Sequence, residues 1–156
     1  MTPPLTEATK AVLLLTAPLI VGRESPHGPK TLSPTEYNKL AARLAELGNK
    51  PDDLMLASKK SLFTRFSDII ETARLEALLN RGLLMSQVVD QWQARGIWVA
   101  SRGDSSYPKR LKQKLKSHAP PIVYGCGNLQ LLKSGGLGIV GSRKVDPTIT
   151  TFVEHN

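Results

Sequence analysis

The residues best equipped for chemistry lie at Ile139-Val140-Gly141-Ser142-Arg143-Lys144. An apolar strand that ends at a glycine, then a small hydroxyl, then two cations, suits a turn that meets phosphate. Ligands of open α/β folds bind beyond the carboxyl ends of strands, where the next helix begins. Gly141 lets the backbone approach a ligand closely. Ser142 and the backbone N–H groups can donate to phosphate oxygens. Arg143 can grip a phosphate with a two-pronged fork, and Lys144 adds charge. The same residues also read as a strand followed by a solvated turn. They lack the full G-x-G-x-x-G fingerprint of a dinucleotide site.

The charge balance favours an anionic partner. The chain has 156 residues and a formal net charge of +8. Seven cations, from Arg95 and Arg102 through Lys109, Arg110, Lys112 and Lys114 to Lys116, face one acid, Asp104, and Lys133, Arg143 and Lys144 follow. Such a concentration can track a nucleic-acid backbone with salt-dependent affinity. It also fits a solvated surface, since residues two apart spread around a helix instead of lining one face. Cys126 is the single cysteine. It forms no disulfide within the chain, has no Cys or His at ligand spacing, and suits a reducing compartment. No cofactor, metal or catalytic residue is expected. The apolar run Ala11 to Val21 is shorter than the ~20 residues a bilayer requires. Glu7 offsets Lys10 and Pro18 interrupts the run, so it reads as a buried first helix of a cytoplasmic protein with no membrane partner.

The elements that must position these residues fall into two parts. Residues 1–95 read as a helical bundle with short connections. A first helix lies within 9–20 and ends near Pro18. Ser33-Pro34-Thr35-Glu36 is a capping box with proline at the first helical position; Leu32 and Tyr37 are placed to staple the turn; Gly48 ends a helix over about 34–47. Pro51-Asp52-Asp53 opens a short helix. Ser67-Asp68 is expected to cap a further helix carrying Ile69, Ile70, Ala73, Leu75, Leu78 and Leu79, closed by Gly82. Ser86 is expected to begin the next, carrying Val88, Val89 and Trp92, closed by Gly96. Residues 96–156 then read as a lead-in segment and an incomplete Rossmann-like domain. Ile97 to Ala100 is a short strand; Arg102 to Pro108 is a loop; Leu111 to Leu115 makes a turn or two of helix. Ala119-Pro120-Pro121 forces an extended path into a strand at Ile122-Val123-Tyr124. Gly125, Gly127 and Asn128 punctuate a turn, Leu129 to Leu132 is helical, and Leu137 to Val140 is a buried-type strand. The fold class is α/β: an N-terminal helical bundle followed by the first part of a Rossmann-like α/β domain.

Three motifs in order give the second part an identity. Gly103-Asp104-x-x-Tyr107-Pro108-x-x-Leu111 precedes Pro120-Pro121-Ile122-x-Tyr124-x-x-Gly127-Asn128-Leu129-x-Leu131-Leu132, and Ile139-Val140-Gly141-Ser142-Arg143 follows. At that spacing the string resembles the DprA/Smf family of DNA-processing proteins, strongly over about 96–146. Arg74-Leu75-x-x-Leu78-Leu79-x-Arg81-Gly82 is loosely similar to the family's variable helical N-terminal extension. The resemblance implies a protein that binds single-stranded DNA and loads the RecA recombinase onto it during natural transformation, without metal or established enzymatic activity. A homodimer is a further partner it suggests for the full-length parent. It places Gly141, Ser142 and Arg143 at the DNA-phosphate pocket, with Arg143 as main ligand; Lys144, next in sequence, completes the candidate nucleic-acid-binding residues. It makes Gly103, Asp104, Tyr107, Pro108, Pro120 and Pro121 structural braces. The family's core continues well beyond Arg143, so the chain reads as a truncated N-terminal portion.

Two other classes fit parts of the sequence. One is a protein-interaction module of a phage-defence or toxin-control system, docking a partner through its helical region. The other is a nucleotide-processing enzyme on a Rossmann-like fold. It is disfavoured because no paired carboxylates or positioned histidine follow the turn.

Overall fold

A computed structural model describes residues 5–22 and 28–134. These form a mostly helical body with one small antiparallel sheet. The strand expected at Leu137 to Val140, with which a Rossmann-like core would begin, lies outside the described residues.

The body is organised around α1 (Glu7–Thr16). Thr6 caps it: its side-chain oxygen accepts from the Thr9 N–H at 3.1 Å. Ala11, Val12, Leu13, Leu14 and Leu15 are all buried, so the helix is apolar around its whole circumference. A helix of that kind belongs at the centre of a fold. It packs against the 51–55 turn, three further helices and both strands.

Helix α2 (Pro34–Glu46) starts as its sequence predicts. Glu36 N–H donates to Ser33 Oγ at 3.2 Å, and Ser33 N–H donates to Glu36 Oε2 at 2.8 Å. Leu32 and Tyr37 are both buried in the same core, and Gly48, at φ 68°, follows the helix end. Tyr37, Leu40 and Leu44 face inward. Pro51–Met55 and Ala57–Phe66 are 3₁₀ segments, followed by α3 (Thr72–Leu79) and α4 (Gly82–Ala94).

Two helix boundaries differ from the sequence reading. Ser67-Asp68 does not cap α3, which begins five residues later. Ile69 and Ile70 donate their N–H groups to Phe66 O at 2.8 and 2.9 Å in a tight turn, which still buries Ile70 in the core. Their apolar character reflects burial in a turn, and the helical period only happens to continue through them. Gly82 begins α4 instead of closing α3, and Ser86 lies inside α4.

The arginine between those helices explains the junction. Arg81 donates through Nε to Leu78 O at 3.3 Å, and through Nη2 to Ala17 O at 3.1 Å and to Leu14 O. One side chain thereby satisfies carbonyls at the end of α1, where helices leave acceptors without partners. Arg74 does similar service for the loop before α2. It pairs with Glu36 at 2.8 Å and donates to Lys30 O at 2.8 Å and Thr31 O at 3.0 Å. Arg74→Met is expected to cost about 1.5 kcal/mol, because a part-buried pair is lost together with two carbonyl contacts. Urea unfolding followed by circular dichroism checks this; an unchanged midpoint would show that the network adds nothing.

Strands β1 (Ile97–Ser101) and β2 (Ile122–Cys126) pair antiparallel, from Ile97 opposite Cys126 to Ser101 opposite Ile122. Helix α4 ends at Gly96, at φ 68°, and β1 packs on both α4 and α1. The core runs continuously from Val12 and Leu40 through Phe66 and Leu78 to Val99 and Ile122.

Candidate nucleic-acid interface

The segment between the strands carries the first two motifs, and its geometry is that of a brace. Asp104 Oδ2 accepts from Ser101 N–H at 2.7 Å and from Thr9 Oγ1, while Oδ1 accepts from Thr6 Oγ1 at 2.9 Å. Thr9 Oγ1 also lies 2.9 Å from Ser101 Oγ, and both residues are buried. One carboxylate thus ties the start of α1 to the end of β1. Burial alone would raise the Asp104 pKa; the bonds from Thr9, the Ser101 backbone and Thr6 outweigh it and hold the carboxyl below its ordinary value.

Tyr107 and the proline pair form the second tie. Tyr107 is buried, and its hydroxyl donates to Pro120 O at 2.8 Å. Arg102 N–H donates to Pro121 O at 2.9 Å, extending the register of the two strands by one bond. The Arg102 guanidinium donates to Ala119 O at 3.1 Å and to Asn38 Oδ1 at 2.8 Å, and stands over the Tyr37 ring at 5.8 Å. Asn38 Nδ2 in turn donates to Ser117 O at 2.8 Å. Arg102, counted in the sequence among cations facing solvent, is a structural link between α2 and the lead-in segment. Neither Asn38 nor the Thr6–Thr9 pair carried a sequence signal for these roles.

The remaining cations behave differently. Helix α5 (Lys109–Leu115) buries none of its residues. Lys109, Arg110, Lys112, Lys114 and Lys116 are all exposed, and none forms a salt bridge among the described residues. Lys112 spends its ammonium on Arg102 O at 3.2 Å, and Arg110 reaches Ser134 O at 3.4 Å. Lys116 lies just beyond the helix at φ 50°, so the alternate lysines spread around the segment as their spacing predicts. Between α5 and the 3₁₀ turn Leu129–Lys133 is a cavity of about 330 Å³. Gly141, Ser142, Arg143 and Lys144, the residues expected to hold phosphate, lie outside the described residues. Among the described residues no group of acids, histidines and cysteines could hold a metal ion, and no helix is long and apolar enough to cross a membrane.

Residues 98–155 match the family model for DNA recombination-mediator protein A. Over that span the chain is similar to the DprA family. The match takes in β1 from Trp98, Asp104, Tyr107, α5, β2 and residues 141–144, a little over a third of the chain. No curated protein and no solved structure matches the chain. The matched family is described as a DNA recombination mediator, a likeness that suggests a DNA-processing role in recombination for this segment. Within the matched segment, Asp104 and Arg102 hold the lead-in to the helical body through Thr6, Thr9 and Asn38, Tyr107 and Pro120 tie the lead-in to itself, and the exposed cations of α5 stand on its surface.

Proposed function

We propose that the chain binds single-stranded DNA through the Gly141-Ser142-Arg143-Lys144 turn and adjoining basic surface, and that it serves RecA loading during natural transformation. On this reading it is a cytoplasmic binding protein and no enzyme. Its DNA-processing domain begins at about residue 96, and a homodimer is the assembly the family resemblance suggests. The family match over residues 98–155 is the observation that carries the reading. The net charge of +8 and the exposed cations of α5 support it. A flexible strand with one charge per nucleotide suits such a surface, and Arg143 would supply the bidentate contact.

Arg143→Ala is expected to weaken binding of an oligothymidylate at low salt about tenfold. It should also make the dependence of log affinity on log salt shallower by about 0.7, the share of one single-strand phosphate contact. Fluorescence anisotropy across a salt series measures both. Unchanged affinity and slope would remove Arg143 from the site.

A further inference from the structure

The 330 Å³ groove beside α5 has a composition that the brace does not explain. One wall is apolar, built from Pro108, Leu129 and Leu132, and Leu132 remains 43% exposed. The rim is cationic, with Lys109 and Arg110 on one side and Lys133 on the other. No acid lines it among the described residues. Lys109 and Lys133 make no side-chain hydrogen bond or salt bridge there, so their charges are not spent on holding the fold. The volume falls in the range of small-ligand sites. Aliphatic side chains under a rim of ammonium groups match an amphiphile whose face is flat and apolar and whose edge is anionic.

We propose that this groove seats one nucleotide of a single strand, its base against Leu129 and Leu132 and its phosphate between Lys109 and Lys133. The proposal rests on the single-strand reading above and adds a second contact point, apart in sequence from Gly141 to Lys144. A nucleotide is favoured over an acidic peptide because the carboxylates of a peptide would use the lysines and leave the apolar wall without a partner. A base has a flat face that can cover that aliphatic wall while its phosphate meets the lysines.

The test uses the whole chain and an oligothymidylate, read by anisotropy across a salt series, with circular dichroism to establish that each variant is folded. Lys109→Ala/Lys133→Ala is expected to weaken binding about tenfold and to make the salt slope shallower by about 0.7. Leu132→Ser is expected to weaken binding several-fold with the slope unchanged, because it removes apolar contact and no charge. A merely basic surface would respond to the first change and not to the second, so an unaffected Leu132→Ser overturns the seat. Equal competition by oligoglutamate would overturn the choice of ligand. If Arg143→Ala weakens binding while both groove variants match the wild type, the groove proposal fails and the single-strand reading stands. If the wild-type chain ignores the oligothymidylate, both fail together.

Discussion

Asp104→Ala is expected to destabilise the chain by about 3 kcal/mol, a sizeable part of the roughly 5–15 kcal/mol a native protein commonly has in reserve. The carboxylate accepts a backbone N–H and two threonine hydroxyls, from Ser101, Thr9 and Thr6. Bonds to a charged group contribute ~1.5–3 kcal/mol each, and removing the shared acceptor leaves the Ser101 N–H, on a buried residue, without a partner. Thr9 is 0% and Ser101 2% exposed, so of the three donors only the Thr6 hydroxyl is readily taken up by water. Asp104→Asn keeps one acceptor oxygen and loses the charge, so an intermediate loss is expected. Urea unfolding measures both, and a loss below about 1 kcal/mol for the alanine variant would show that the brace is incidental.

The same carboxylate gives the brace a pH dependence of known sign. Its folded pKa lies below its ordinary value of 3.8, so the folded state favours the ionised form. The stability this contributes is present above that value and is lost as pH falls through the folded pKa. Glu36 acts the same way: its hydrogen bonds with Arg74 and the Ser33 backbone hold it at about 2 against an ordinary 4.5. Acid should therefore weaken the wild type progressively below about pH 4.5. Asp104→Ala should show a flatter acid limb.

Gly125→Ala is the second large effect, again about 3 kcal/mol. Gly125 stands opposite Trp98 in the β1–β2 ladder. A Cβ there would meet Trp98 Cζ2 at 2.2 Å, Cη2 at 2.6 Å and Cε2 at 2.7 Å, all far inside contact distance. The indole covers the glycine, is only 7% exposed, and donates through Nε1 to Gly127 O at 3.2 Å. It cannot yield without losing that bond and its packing, and forced overpacking of this kind typically costs ~1–3 kcal/mol. Gly127→Ala is the contrast. Its φ of 84° strains an alanine but nothing lies within 4 Å, so about 1 kcal/mol is expected. Tryptophan fluorescence and urea unfolding separate the two; native-like emission and stability in Gly125→Ala would contradict the packing described.

Sequence patterns reached the parts of this fold that depend on neighbours along the chain. The Ser33–Glu36 box, the staple of Leu32 and Tyr37 and the stops at Gly48 and Gly96 are all local chemistry, and all stand as read. The bracing role of Asp104, Tyr107 and Pro120 followed from resemblance, and bonds to Thr9, Ser101 and Pro120 account for it physically. Where the reading failed, the cause was tertiary. Ile69 and Ile70 continue a helical period but lie in a turn, and Gly125 looks like turn punctuation but is a strand residue made obligatory by a tryptophan across the ladder. Arg81 and Arg102 are indistinguishable in sequence from solvent-facing cations; only the carbonyls of Leu14, Ala17 and Ala119, distant in the chain, reveal their work. The groove beside α5 was illegible for the same reason, since Lys109 and Lys133 meet only through the fold. The run from Gly141 to Lys144, expected to hold phosphate, was the most legible chemical signal in the sequence and lies outside the described residues.

The central claim is that this basic chain prefers a single strand to a duplex. Competition between an oligothymidylate and a duplex of equal length for the wild-type chain, at low and then at physiological salt, tests it most directly. The single strand is expected to displace the duplex at both, with affinity falling steeply as salt rises. Equal competition by the duplex, or affinity insensitive to salt, would contradict the account.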